Sequence, residues 1–355
     1  LDLKKIESLF PIQYNYDLIT FTDNVDFKSV LDIGFGGGGA SLYFAFKEKE
    51  VTSLGLNIDT YDYPREYFKK CGIKTFDMEF LSFNSDKKYD AIWMSHVLEH
   101  TLNVGLFLDK ANSMLNDDGW LFVMVPPYED LVCGGHLTTG WNIGHLMYTL
   151  LLSGFNIKDG HYIKIGYNIC AFVQKSKTSL PELRMDYGDL NTTSDLWPLS
   201  IVNQGKDRGE YIVGNVEYIN WFGTEPSEII CKKQISVIKN RLLESKFKEK
   251  LISFIKDYKE QKICFYGAGL LARILTEDYD LSRLNVSGFL DNNPEKAGSK
   301  LGGYAVFLPS KIEELKPDIL IISVENADKI LPFIKDLKQK FNLKFKIYDL
   351  NFNKI

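Results

Sequence analysis

The run Val30-Leu31-Asp32-Ile33-Gly34-Phe35-Gly36-Gly37-Gly38-Gly39 narrows the choice of fold more than any other stretch: an apolar strand empties into glycines, and a helix starts near Ala40. Glycines let the backbone turn tightly and let a ligand lie against bare peptide at a helix N-terminus. Gly34, Gly36 and Gly39 also satisfy the G-x-G-x-x-G dinucleotide spacing, so the loop by itself leaves the choice of cofactor open.

From Ser29 to about Lys175 the chain alternates strand-like and helix-like segments. Strands are expected at Ser29 to Ile33, Val51 to Leu56, Ile73 to Asp77, Tyr89 to Met94 and Trp120 to Val125. Phe107, Ala111, Met114 and Leu115 recur at helical intervals, and Asn116-Asp117-Asp118-Gly119 supplies a turn. This rhythm predicts parallel βαβ units with ligands beyond the carboxyl ends of the strands. Phe155 to Lys158 and Asn168 to Gln174 lie too close for a helical crossover, so that last pair is expected to be antiparallel.

A length of 355 residues suggests about two domains. The expected division is 1-175, a linker or insertion at 176-245, and a smaller α/β domain at 246-355. Forty-seven acidic against 42 basic residues give a net charge of −5, without the basic excess that nucleic-acid binding demands. No apolar run reaches about 18 residues, so no membrane partner is expected and the location is read as cytoplasmic. Cys71, Cys133, Cys170, Cys231 and Cys264 stand singly, as buried small hydrophobes in a reducing compartment would.

The chain resembles the class I S-adenosylmethionine-dependent methyltransferases. The resemblance runs from Asp32 and the glycine loop through Lys88-Tyr89-Asp90-Ala91-Ile92-Trp93-Met94-Ser95-His96-Val97-Leu98-Glu99-His100 to Met114-Leu115-Asn116-Asp117-Asp118-Gly119-Trp120-Leu121-Phe122-Val123-Met124-Val125-Pro126-Pro127. It implies an α/β Rossmann-like sheet with an antiparallel last strand. It also implies S-adenosyl-L-methionine as cofactor, with Asp32 and the backbone of Gly34, Phe35, Gly36 and Gly38 holding the methionine part. Where the family carries a ribose-binding acid this sequence has Asn57, an amide without the bidentate grip of a carboxylate. Asp77 and Met78 fall where the adenine is met, and Ser95 and His96 follow the fourth strand beside the cofactor.

All five histidines lie in the first domain. His136 and His145, in the glycine- and tryptophan-containing stretch after the fifth strand, are candidates for a general base, and His100 has the family's position near the active site. With no close carboxylate cluster after the fourth strand, no metal site is expected.

Cys264-Phe265-Tyr266-Gly267-Ala268-Gly269 followed by Gly288-Phe289-Leu290-Asp291 fits a second nucleotide loop, Gly267 and Gly269 with Asp291 as ribose acid. It is similar to the small C-terminal domain of sugar C-methyltransferases, without that family's N-terminal zinc module. The resemblance implies a sugar or nucleotide-sugar acceptor in polysaccharide or glycoconjugate synthesis, and the missing zinc module moves the expected methylation from carbon to oxygen or nitrogen, with oxygen expected first. A nucleotide-sugar binding scaffold with a vestigial transferase domain and an N-methyltransferase of a small precursor are the alternatives. For the second domain, sugar-nucleotide binding, packing as a homodimer and a fused reductase all stay open.

Overall fold

The computed structural model describes residues 2–128, 132–138, 140–186, 188–201, 212–324 and 327–355. The chain divides into two units, Leu1–Ile229 and Ile230–Ile355.

The first unit is built on eight strands: β1 (Ser29–Ile33), β2 (Glu50–Gly55), β3 (Lys74–Asp77), β4 (Tyr89–Ser95), β5 (Leu115–Val125), β6 (Phe155–Ile165), β7 (Asn168–Lys175) and β8 (Tyr218–Ile219). They lie in the order β3-β2-β1-β4-β5-β7-β6-β8. Every residue of β1 is buried, as a central parallel strand covered on both faces requires. β1 pairs in parallel with β2, Ile33 facing Leu54, and with β4, Ile33 facing Met94. Strand order therefore reverses at β1, which leaves a crevice beyond its carboxyl end.

β7 runs antiparallel to both β5 and β6. Tight reversal at Gly166 and Tyr167 makes that possible without a crossover helix. The turn expected at 116–119 is instead an irregularity inside β5, where Asp118 takes a positive φ of 61° and the register to β4 shifts.

Residues 176–245 divide between the two units. Trp197 and Ile201 are buried in the first unit's core, Ile212 and Val216 pack on it, and β8 pairs with β6. Ile238 and Leu242 are buried in the second unit. These segments lack periodicity because isolated anchors dock them; Trp197, for example, is buried while its indole N–H donates to Thr193 Oγ1 at 3.1 Å. Each such anchor contributes about 1.5–3 kcal/mol of burial.

The second unit holds β9 (Lys262–Tyr266), β10 (Asn285–Leu290), β11 (Lys300–Leu301), β12 (Tyr304–Phe307), β13 (Ile319–Ile322) and β14 (Lys346–Tyr348), in the order β11-β12-β10-β9-β13-β14. Among the described strand pairs of this sheet, β11–β12 is antiparallel and the rest are parallel. Leu251, Phe254 and Ile255 of the helix Phe247–Tyr258 face its core as one stripe.

Among the described residues no helix is long and apolar enough to cross a membrane. Cys170 and Cys264 are buried, Cys231 is half-buried, and Cys71 and Cys133 are exposed. The expectation of five buried thiols is thus corrected at 71 and 133, which lie in a helix-end turn and a surface loop rather than on an inward face.

Candidate functional site

A cavity of about 600 Å³ opens beyond the carboxyl ends of β1 to β4, at the point where strand order reverses. Gly34, Phe35 and Gly36 form one wall. Leu54 to Leu56 form a second, Met78 to Leu81 a third, and His96, Val97 and His100 a fourth. Phe107 and Leu137 add apolar surface. The volume is in the usual range for small-ligand sites, roughly 300–1,000 Å³.

Gly34 shows why the loop is glycine. Its φ is 73°, and a Cβ there would stand 2.6 Å from Val97 Cγ2 on the opposite wall. Its own N–H is spent on Leu54 O at 2.7 Å, which ties β1 to β2 at the cavity floor. Gly38, at φ 80°, meets the Phe68 ring in the same manner and sits behind the loop.

Of the residues expected to touch a cofactor, Gly34, Phe35, Gly36 and Met78 line the cavity. Asp32 faces away from it. Its carboxylate is almost completely buried and accepts a hydrogen bond from Ser41 Oγ at 2.5 Å, and Ser41 Oγ lies 2.7 Å from Ser53 Oγ. Burial pushes the Asp32 carboxyl up to about 7 against the opposing hydrogen bonds from Ser41. Strand alternation explains the placement, since Leu31 and Ile33 point to the other face of β1.

Asn57 is exposed with φ 53°, and its N–H donates to Asp77 Oδ1 at 2.8 Å. Asp77 thus pins the turn after β2, while Glu79, absent from the expected set, is the carboxylate on the cavity wall. Ser95 Oγ accepts from Asn15 Nδ2 at 3.1 Å. That contact brings in the N-terminal helix Asn15–Ile19, for which the sequence carried no site signal.

His96 has the most constrained ring in the site. Its Nε2 lies 3.0 Å from Asn168 Oδ1, and Asn168 Nδ2 donates to Gln13 O and Ile165 O. The amide orientation leaves Oδ1 as an acceptor, so Nε2 carries a proton. Nδ1 lies 3.1 Å from Glu99 Oε1, and the ring stacks on Tyr167 at 5.6 Å. Glu99 is fully buried, and its Oε2 has no hydrogen-bond partner.

The three candidate bases separate. His100 lines the cavity, and its Nδ1 bonds Gly135 O at 2.8 Å, which makes Nδ1 the protonated nitrogen of the neutral ring and leaves Nε2 with a free lone pair. His136 packs edge-on against His100 with ring centroids 5.1 Å apart. Leu137 and Thr138 N–H groups both donate to Glu99 O, so this loop is clipped onto the turn after β4. His145 stands apart: it is exposed, at the start of the helix Ile143–Leu152, its N–H donating to Asn142 Oδ1 at 2.8 Å. Thr139, between them in sequence, lies outside the described residues.

In the second unit Gly267 has φ 106°, and a Cβ would come within 3.0 Å of Ser323 O and closer still to Val324. Asp291 is occupied locally. Its carboxylate accepts from Ala268 N at 2.8 Å and Asn293 N at 2.9 Å and pairs with Lys296 Nζ at 3.1 Å. Partial burial opposes ionisation, but the two amides and the ammonium outweigh it and hold the carboxyl below its ordinary range. Gly269 precedes the helix Leu270–Asp278 with an extended backbone.

Residues 13–162 match the family described as methyltransferase domain. The first unit carries a methyltransferase domain. Residues 259–340 match a second family, described as C2185-like, N-terminal. The chain is 36% identical over 103 residues to (S)-tetrahydroprotoberberine N-methyltransferase of Eschscholzia californica, which covers 28% of this chain and 29% of that one. It is 29% identical over 130 residues to ubiquinone biosynthesis O-methyltransferase of Glaesserella parasuis serovar 5, covering 34% and 55%. The chain therefore spans less than a third of the length of the first of these relatives and about half that of the second. Among solved structures, the 1,6-didemethyltoxoflavin-N1-methyltransferase of Burkholderia thailandensis is similar at 15% identity and TM-score 0.39, over 44% of this chain and 76% of that one.

Beside the methyltransferase domain's glycine wall the residues fit S-adenosylmethionine. The bare peptide at Gly34 and Gly36 is space that a side chain would fill, and apolar walls face the Glu79 carboxylate and the His96 ring.

Proposed function

We propose that the chain is an S-adenosylmethionine-dependent methyltransferase of small-molecule acceptors. The single observation that carries this is the cavity of about 600 Å³ at the reversal of strand order, walled by Gly34 and Gly36 within the matched domain. The cofactor supplies an electrophilic methyl group on sulfur. In this reading Gly34, Phe35 and Gly36 seat its methionine part, Met78 and Phe80 pack on its base, and Glu79 takes its ribose hydroxyls in place of Asn57. Asp32 acts behind the loop, holding the helix Gly39–Phe46 to β1 through Ser41.

Much of the rate in such a transfer comes from holding the nucleophile in line, worth up to about 7–11 kcal/mol. We assign acceptor binding and proton removal to the corner formed by Glu99, His100 and His136, because those side chains meet beside the cavity and His145 does not line it. His96 is a positioning residue, fixed by Glu99 and Asn168.

For the acceptor we keep a sugar or nucleotide-sugar oxygen, which rests on the resemblance of the second unit to sugar C-methyltransferases. Two observations favour a second reading, N-methylation of an amine with apolar parts: the relatives named above include an N-methyltransferase, and Leu102 and Leu137 are exposed apolar side chains on the cavity wall. Incubation with labelled methyl donor and a panel of nucleotide sugars and cyclic amines, read by mass spectrometry, separates the two. Label on a nucleotide sugar supports the first, label on an amine the second, and label on neither panel contradicts both.

A further inference from the structure

We propose that Glu99, His100 and His136 form a binding site for one divalent transition-metal ion of the zinc class. One ligand atom from each of the three lies within 4.8 Å of the other two. Two imidazoles and a carboxylate form the nitrogen and oxygen donor set that zinc and its neighbours take with a position left open.

Proximity alone would not carry the proposal; two further observations point to a ligand. Glu99 is fully buried, yet its Oε2 has no hydrogen-bond partner, and a buried unpaired carboxylate oxygen is costly unless something binds it. His100 already has the tautomer a metal needs, with Nδ1–H given to Gly135 O at 2.8 Å and Nε2 left bare. The outer contacts are in place as well: Oε1 of Glu99 is held by His96 Nδ1, and the loop bearing His136 is clipped to Glu99 O by the N–H groups of Leu137 and Thr138. Metal bonds of about 2.0–2.2 Å would draw the three atoms together by roughly an ångström, a movement the exposed loop at Gly134 and Gly135 can absorb.

The sequence has no carboxylate cluster after the fourth strand, and for that reason no metal is expected from it. This set is mostly imidazole, and His136 is brought in from a different loop. Because His100 lines the cavity, an ion held there would supply Lewis acidity beside the acceptor, and the corner would then favour loss of the acceptor's proton through the ion rather than through a bare imidazole. That catalytic consequence rests on the methyltransferase reading, but the binding itself does not.

The test is titration of chelator-stripped full-length protein with Co²⁺, read by its visible absorption and by metal analysis after dialysis, alongside calorimetry with S-adenosylmethionine on the same samples. One ion per chain is expected, with affinity falling by at least about 10-fold in His136→Ala, in His100→Ala and in Glu99→Gln, and unchanged in His145→Ala. His136 is in a surface loop, so its variant remains informative if Glu99→Gln does not fold. Absence of saturable Co²⁺ binding, or binding that survives His136→Ala and His100→Ala undiminished, overturns the site. Intact S-adenosylmethionine binding in that case leaves the methyltransferase reading standing, whereas Co²⁺ binding without S-adenosylmethionine binding would remove that reading and leave the metal site.

Discussion

His96 Nδ1 lies 3.1 Å from Oε1 of the fully buried Glu99, while the opposite nitrogen of the same ring is committed as a donor to Asn168. Imidazole and carboxylate are therefore hydrogen-bonded to each other in a buried corner, and the pair acts as a unit. His96→Ala strands a carboxylate and is expected to cost about 3–5 kcal/mol of stability, whereas the double change His96→Ala, Glu99→Leu costs less than the sum of its parts by about 1–3 kcal/mol. Urea unfolding of the four proteins measures the coupling. Strictly additive losses would show that the two groups are not coupled.

Asp32 gives stability an unusual pH dependence. Its folded carboxyl is raised to about 7 from an ordinary 3.8, mainly by burial. The stabilising contribution is therefore fully present below about 3.8 and lost as pH rises through 7. Relative to Asp32→Asn, the unsubstituted protein should lose about 3 kcal/mol between pH 5 and pH 8. Denaturant midpoints for both proteins across that window check the slope, and parallel curves would contradict it.

The shift at Asp291 has the opposite sign. Held below its ordinary range, its carboxylate adds stability above pH 3.8, and that stability is lost as pH falls through the lowered folded value. Asp291→Ala removes the acceptor for the Ala268 and Asn293 amides and for Lys296, so it should cost the second unit about 1–3 kcal/mol at neutral pH without any added nucleotide. Thermal unfolding of the full chain, with and without nucleotide, tests this. A variant as stable as the parent would mean that the carboxylate is free for a ligand.

The strands were legible because their signal is local. β1, β9 and β10 announce themselves as short apolar or β-branched runs that break at glycine or aspartate, and β4 as an apolar run that breaks at Ser95-His96. The glycine wall was legible for the same reason. Side-chain direction was less so: Asp32 and Asp77 sit at the right strand ends, but alternation turns the first toward Ser41 and turn chemistry spends the second on Asn57. Glu79 could have been found by counting two residues past the end of β3. Contacts that close over long sequence separations left no local trace, as with Asn15 on Ser95, Asn168 on His96 and Gly135 on His100. β8 and the Trp197 anchor were hidden because short docked segments show no period.

Calorimetric titration of S-adenosylmethionine into the full-length protein and into Gly34→Ala tests the central claim most directly. Saturable one-to-one binding is expected for the parent, and at least about 10-fold weaker binding for the variant, whose new methyl must occupy a φ of 73° and stand 2.6 Å from Val97 Cγ2. No heat with S-adenosylmethionine, together with saturable binding of a nicotinamide dinucleotide that Gly34→Ala abolishes, would contradict it.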